Sequence, residues 1–219
     1  TDLIHGANEA NDLMQPDLHR YYYTIVEGTN RILKWARRRF RRALVLSSGA
    51  VARDTIYGQA KRQCELIAGL YGEVKIARIY SLLGEEMPLN GQFAAGKFIH
   101  MALTEGKVRL WGGESRRSYL HVKDCVQGLL SILDDGHPST PYEVGGSVPM
   151  TMLELAQMVS VVFDVPLERI QGPDRVDHYL SNESKQRAWL IQPMSILQAL
   201  ERIRDHHLRN TDVLARKSA

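Results

Sequence analysis

Tyr57, Lys61 and Ser48 are the residues of this chain whose types and spacing could move a proton. Tyr57-Gly-Gln-Ala-Lys61 sets two side chains four residues apart, and on a helix that spacing puts them on one face. The Lys61 ammonium can then lie beside the Tyr57 phenol and favour its phenolate, which exchanges a proton with a substrate hydroxyl or carbonyl. Ser48 follows the apolar run Ala43-Leu44-Val45-Leu46 in Ser47-Ser48-Gly49-Ala50, where its hydroxyl can bond the same oxygen and hold it for attack. A lone Tyr-x-x-x-Lys is a common surface pair. A strand that delivers a serine just ahead of it makes the three residues a candidate proton-transfer set.

These side chains need a strand and a helix to hold them, and the apolar patterning supplies both. It predicts strands over Asp2 to Ala7, Ala43 to Ser47, Val74 to Leu82, Val108 to Trp111 and Tyr142 to Gly145. Helices are expected over Leu18 to Arg39, Tyr57 to Tyr71, Phe93 to Leu103, Val122 to Leu133, Met152 to Phe163 and Met194 to His207. Strands alternating with helices imply βαβ units and a parallel α/β sheet. No internal repeat or low-complexity segment interrupts the pattern.

Length and composition allow such a fold. The chain has 219 residues, 44% hydrophobic and 24% charged, so it can bury a core and is neither disordered nor fibrous. No apolar stretch reaches the ~20 residues that span a bilayer, and no basic segment with a hydrophobic signal opens the chain, so the reading is of a soluble, cytoplasmic protein without a membrane partner. Cys64 and Cys125 lack metal-ligand spacing and read as buried small hydrophobes; no metal site is expected. The formal charge is +3, yet Lys34, Arg37, Arg38, Arg39, Arg41 and Arg42 cluster around Trp35 and Phe40. Such a run can serve nucleic acid. Its place at the end of a predicted helix favours cations complementing the macrodipole, with Trp35 and Phe40 packed inward and no nucleic-acid partner.

Three strings in order, Ser47-Ser48-Gly49 with Tyr57 and Lys61, then Arg78-Ile79-Tyr80-Ser81-Leu82-Leu83-Gly84, then Arg117-Ser118-Tyr119-Leu120-His121-Val122-Lys123-Asp124, resemble the extended short-chain dehydrogenase/reductase family of nucleotide-sugar epimerases, dehydratases and ketoreductases. The resemblance runs from about Asp2 to about Leu200. It implies a Rossmann-like doubly wound parallel sheet with a small C-terminal α/β substrate lobe. Residues 1–84 would be the remainder of the dinucleotide-binding domain, and 85–219 mainly the substrate lobe with some segments returning to the sheet.

By the same resemblance Ser48, Tyr57 and Lys61 are catalytic, and His5, Gly6, Ala7, Ser47 and Tyr80 join Tyr57 and Lys61 around NAD, with NADP open. Ser81 stands where relatives carry Asn, Asn90 follows Pro88-Leu89 where relatives contact the diphosphate, and Arg175 is a second candidate for it. Arg117 is the diphosphate residue the motif supports best, since a planar guanidinium makes paired bonds to phosphate oxygens. Asp124 would start the next helix. In Ile25-Val26-Glu27-Gly28-Thr29, Ile25 replaces an Asn of the family pattern and removes a polar group that could relay protons.

A dinucleotide fold opens on a glycine-rich turn that holds the pyrophosphate, and no such motif occurs in this chain. The expectation is therefore a longer polypeptide with a glycine-rich βαβ unit ahead of Thr1. The stretch from Val51 to Tyr57 is also shorter than the family's substrate loop. Ser48-Gly49-Ala50 lacks the ionisable pair with which 4,6-dehydratases eliminate water. The expected activity is thus a nucleotide-diphosphate-sugar C4 epimerase, with a 4-keto-6-deoxysugar reductase or a 4,6-dehydratase as alternatives within the class. A non-catalytic interaction module of the same fold is the alternative outside it. The resemblance also implies a homodimer, paired through the Leu18 to Arg39 and Tyr57 to Tyr71 helices.

Overall fold

The computed structural model describes residues 1–6, 18–89, 91, 93–138, 140–172, 176–182 and 192–217. They form two compact units. Unit 1 takes the described residues of Thr1–Tyr80, Cys125–Gly145 and Ser181–Ile191; unit 2 takes those of Ser81–Asp124, Gly146–Leu180 and Gln192–Ala219. Among the described residues no helix is long and apolar enough to cross a membrane.

Unit 1 is built on a four-stranded parallel sheet in the order β1-β2-β3-β7, with β1 at Asp2–His5, β2 at Arg42–Ser48, β3 at Val74–Ile79 and β7 at Pro141–Val144. The β-branched and aliphatic residues of β2 and β3 bury Leu44, Val45, Ile76 and Ala77 almost completely, as strands covered on both faces require. Helix α3 at Ile56–Leu70 packs on them, and Leu33, Val45, Ala68, Val74 and Ile76 form one apolar cluster. Thr55 starts α3 by accepting from the Gly58 N–H at 3.1 Å.

The long helix expected over Leu18 to Arg39 is interrupted. A turn of α-helix, α1 at Leu18–Tyr21, passes into a π-helical stretch at Tyr22–Glu27 and then into α2 at Gly28–Ala36. Wider π winding sets the Ile25 carbonyl where three donors reach it: the Gly28 N–H, the Thr29 hydroxyl at 2.6 Å and the Cys64 thiol at 3.2 Å. The expected inward packing of Trp35 also fails, because Trp35 is 53% exposed. Its ring instead carries the Arg39 guanidinium 5.0 Å from its centroid and lies 5.4 Å from the Phe40 ring, so cation–π attraction holds it at the surface.

The strand expected to run from Val74 to Leu82 ends at Ile79. Tyr80 donates its N–H to the Val144 carbonyl, and β4 at Ser81–Leu83 belongs to unit 2. There β4 pairs in parallel with β6 at Arg116–His121, and β6 pairs antiparallel with β8 at Pro149–Thr151. A separate parallel pair joins β5 at Val108–Trp111 to β9 at Leu167–Ile170. Strands β6, β8 and β9 escape the periodicity because β6 is polar at both ends, β8 has three residues, and β9 is four residues with Glu168 and Arg169 in its middle. Helices α4 at Ala94–Glu105, α6 at Met152–Phe163 and α7 at Ile196–Lys217 supply Ile99, Leu155, Val159, Leu200 and Ile203, all fully buried. Thr151 and Glu154 cap α6 reciprocally, and Gly106 ends α4 with φ +64°, a conformation suited to glycine. Helix α5 spans Val122–Asp135 with Asp124 in its first turn, where that carboxylate accepts from the Met194 N–H at 2.9 Å.

Candidate functional site

At the carboxyl end of β2 the backbone turns through a single 3-10 turn, Gly49–Ala52, and enters α3 at Ile56. The connection is short because it lies directly on the helix. A Cβ at Gly58 would meet the Ala50 carbonyl oxygen at 2.4 Å and that of Arg53 at 2.5 Å, so only glycine admits this approach. Arg62, one turn on, donates from Nη1 to the Val51 and Arg53 carbonyls at 2.6 and 2.9 Å and staples the turn to the helix.

This turn places Ser48 beside the start of α3. Ser48 is buried, and its Oγ accepts from the Ala50 N–H at 3.2 Å. Tyr57 is half-buried and meets Tyr21 edge-on at 6.5 Å between ring centroids. Lys61 is 4% exposed; its Nζ donates to the Leu46 carbonyl at 3.1 Å and stands 5.8 Å from the Tyr57 ring centroid. Helical spacing thus does bring Tyr57 and Lys61 together. Burial lowers the Lys61 pKa from its ordinary value, while Cys64 and Glu65 oppose that shift by favouring the ammonium.

His5, at the end of β1, is buried and contacts Thr29 Oγ1 through Nε2 at 3.1 Å. The Thr29 hydroxyl already donates to Ile25, so His5 Nε2 is the donor and the ring is the Nε2–H tautomer. Burial, with Lys61 adding to it, lowers the His5 pKa. Gly6 follows, exposed, with a Cβ position 3.0 Å from Leu46 Cδ1. Ile25 is fully buried among Tyr21, Val26, Ala60 and Cys64, with Tyr57 packed against that cluster, so this position brings apolar packing where a polar relay would sit.

Tyr80 lies against Gly49, where a Cβ would fall 2.2 to 2.7 Å from the Tyr80 ring. Position 49 therefore accepts no side chain while Tyr80 occupies this place. Ser47, expected near the cofactor, gives its hydroxyl to Glu65 Oε1 at 2.6 Å.

In unit 2, Ser81 opens β4 opposite Tyr119, half-buried. Arg117 on β6 donates from Nη1 to the Arg116 carbonyl at 2.9 Å and to the Asp177 carbonyl, and from Nη2 to Asp177 Oδ2 at 2.9 Å. The guanidinium fork is engaged with a carboxylate of its own unit. Ala7, Asn90 and Arg175 lie outside the described residues.

Sequence reading passed over Glu65, Thr29 and the Gly49–Tyr80 contact. A signal for Glu65 was present: it is the next i, i+4 step after Tyr57 and Lys61.

With this geometry in place, residues 4–145 match the sequence model of the NAD dependent epimerase/dehydratase family. UDP-glucuronic acid decarboxylase 1 of Arabidopsis thaliana is 31% identical over 120 residues, covering 52% of this chain and 27% of that protein. UDP-glucuronic acid decarboxylase 1 of Danio rerio is 31% identical over 109 residues, covering 47% and 26%. The chain spans about a quarter of the length of these relatives. Among solved structures, UDP-glucose 4-epimerase of Thermotoga maritima with UDP-glucose superposes with a TM-score of 0.84 at 17% identity, covering 96% of this chain and 78% of that one. The dTDP-glucose 4,6-dehydratase of Bacillus anthracis in complex with NAD gives 0.77 at 19% identity, covering 96% and 73%. At these identities the structural likeness speaks for the fold.

Proposed function

The chain belongs to the NAD dependent epimerase/dehydratase family, and from that premise we propose that it serves a nucleotide-diphosphate-sugar oxidoreductase in which Tyr57, Lys61 and Ser48 handle the proton. The observation that carries this reading is the seating of Lys61: a buried ammonium between the Leu46 carbonyl and the Tyr57 ring, with Ser48 two residues beyond Leu46.

The residues fit the nicotinamide end of NAD. Among the described residues the Leu46 carbonyl is the one hydrogen-bond acceptor of Lys61 Nζ, so the ammonium keeps donors for hydroxyl groups. When bound, NAD supplies the hydride acceptor and donor. The protein's part is the proton. Tyr57 takes it from the sugar hydroxyl as that carbon is oxidised, and returns it on reduction. The Lys61 ammonium favours negative charge on the Tyr57 oxygen during transfer, and the Ser48 hydroxyl donates to the substrate oxygen and fixes its place. Arg117 would exchange the Asp177 carboxylate for the substrate diphosphate, a stronger acceptor for the same fork.

Within this class a C4 epimerase is the reading Gly49 and Ala50 support. Neither ionises, Ala50 is buried, and Tyr80 closes the space over Gly49, so no acid–base pair for eliminating water stands there. A second reading draws on the relatives' names. Oxidation at C4 of UDP-glucuronic acid makes a β-keto acid, which loses carbon dioxide without such a pair. Incubating the protein with NAD and either UDP-glucose or UDP-glucuronic acid, then separating the products, decides between them: UDP-galactose supports the epimerase, and carbon dioxide with a UDP-pentose supports the decarboxylase. No conversion of any nucleotide sugar, with NAD bound, would overturn both.

The proposed assembly is a homodimer. Unit 1 exposes Leu66 (71%) and Leu70 (86%) on α3, and Tyr22 (57%) and Tyr23 (51%) on the π-helical stretch, an apolar display that a second copy would cover. Light scattering at micromolar concentration should give twice the chain mass; a monomer mass rejects this assembly.

A further inference from the structure

Unit 1 holds a partly buried ionic group that the proton-transfer scheme leaves unused. Glu65, on α3, has an 11% exposed side chain. Its Oε1 accepts from the Ser47 hydroxyl at 2.6 Å and from Arg78 Nε at 2.9 Å, and its Oε2 from Arg78 Nη2 at 2.7 Å. The other side of Arg78 faces Glu143 on β7, at 3.9 Å from Nη1, and Glu143 in turn accepts from the Asn182 N–H.

We propose that Glu65 is a positioning residue for the Tyr57, Lys61 and Ser48 set: its carboxylate clamps the end of β2 to α3 and keeps a negative charge beside the Lys61 ammonium. This rests on the function proposed above. Two consecutive β2 residues are bonded to α3, Leu46 through its carbonyl to Lys61 and Ser47 through its hydroxyl to Glu65. Ser48 is the next residue, so these two bonds decide where its hydroxyl stands relative to Tyr57. The three α3 side chains follow one another at four-residue steps and share a face. Arg78 braces the carboxylate with a paired contact, which leaves it little freedom to rotate away from Ser47.

The charges around Lys61 are Glu65 and Cys64 on its own helix, His5 on β1, and Arg78 and Glu143 behind Glu65. With His5 and the Cys64 thiol neutral, two cations meet two carboxylates. Removing one carboxylate leaves the site cationic and disfavours the ammonium.

Glu65→Gln tests this in the full chain. Titration of Lys61 by NMR of 13Cε-labelled lysine, assigned with Lys61→Met, should move to lower pH in Glu65→Gln than in the parent. Turnover should fall by about 10- to 100-fold with KM within about twofold, the mark of a misplaced reacting group rather than lost binding. Glu65→Asp should restore the lysine titration, because it keeps the charge, while recovering turnover only in part. If Glu65→Gln does not fold, Ser47→Ala removes one clamp bond and leaves the Glu65–Arg78 pair intact; turnover should then fall several-fold with the Lys61 titration unchanged. An unmoved Lys61 titration with full turnover in Glu65→Gln overturns the proposal, as does full turnover in Ser47→Ala where that variant stands in. Tyr57→Phe run alongside separates the two levels: full turnover there defeats the proton-transfer scheme, and the lysine titration still decides Glu65.

Discussion

Each unit contains a glutamate shared between two partners, and the two differ in what surrounds them. Glu65 in unit 1 joins Ser47 and Arg78 beside Lys61. Glu85 in unit 2 accepts from His121 Nε2 at 3.1 Å and from Arg202 at 2.9 and 2.8 Å. His121 is fully buried on β6 and Arg202 lies on α7, so Glu85 fastens a turn, a strand and a helix of one core. No candidate catalytic residue shares its element. The same local chemistry therefore serves two ends: a shared carboxylate next to a buried lysine bears on reactivity, and one next to an apolar core bears on stability.

The largest effect that could break this contrast is in unit 1. Tyr57→Phe removes one hydroxyl and should lower kcat by roughly 10²–10⁴, the usual worth of a general acid–base, while cofactor binding and melting temperature stay near the parent values. Arg202→Ala, which loosens Glu85, should leave kcat unchanged in the same assay. If the Arg202 variant loses as much turnover as the Tyr57 variant, the division of labour between the two carboxylates is wrong.

A smaller effect is expected from Arg117→Ala, which should raise KM for a nucleotide-diphosphate sugar by about 10- to 150-fold with kcat little changed, the worth of charge-assisted bonds to a phosphate made equally in ground and transition states. Arg117→Lys should recover part, since a point charge cannot reproduce the fork. Equal KM values in the parent and both variants would make the Asp177 contact the whole role of Arg117.

The mildest effect concerns acid stability. Burial pushes the Glu85 carboxyl up, but its own backbone N–H, Arg202 and His121 outweigh that and hold its pKa down at about 2, against an ordinary 4.5. A depressed carboxyl stabilises the fold above the unfolded value and loses that contribution as pH falls toward the folded one. Unfolding midpoints in urea should therefore decline between about pH 4.5 and about pH 2, and Glu85→Gln should flatten part of that decline. An identical slope in both proteins would remove Glu85 from the account of stability.

Particular residues show where sequence reading stops. The strands β1, β2, β3, β5 and β7 and the helices α3, α4, α5 and α6 stand close to where periodicity placed them, because each carries an apolar face long enough to declare its period. The π-helical stretch was illegible, since what holds it includes the Cys64 thiol, 39 residues away in the chain. Trp35 was misplaced for a related reason: a basic run says nothing about which guanidinium will cover an aromatic ring.

The sequence by itself determined that Tyr57 and Lys61 share one face of a helix, because an i, i+4 spacing is enforced by helical geometry whatever the fold around it. It also determined the alternation of strands and helices, which follows from local periodicity. Only the tertiary structure decided that Lys61 is buried on the Leu46 carbonyl, that Ser47 belongs to Glu65, that Tyr80 closes the space over Gly49 and that Asp177 engages Arg117. Each of these is a contact between residues at least 15 positions apart, and a buried polar group takes whichever partner the packed chain brings within reach.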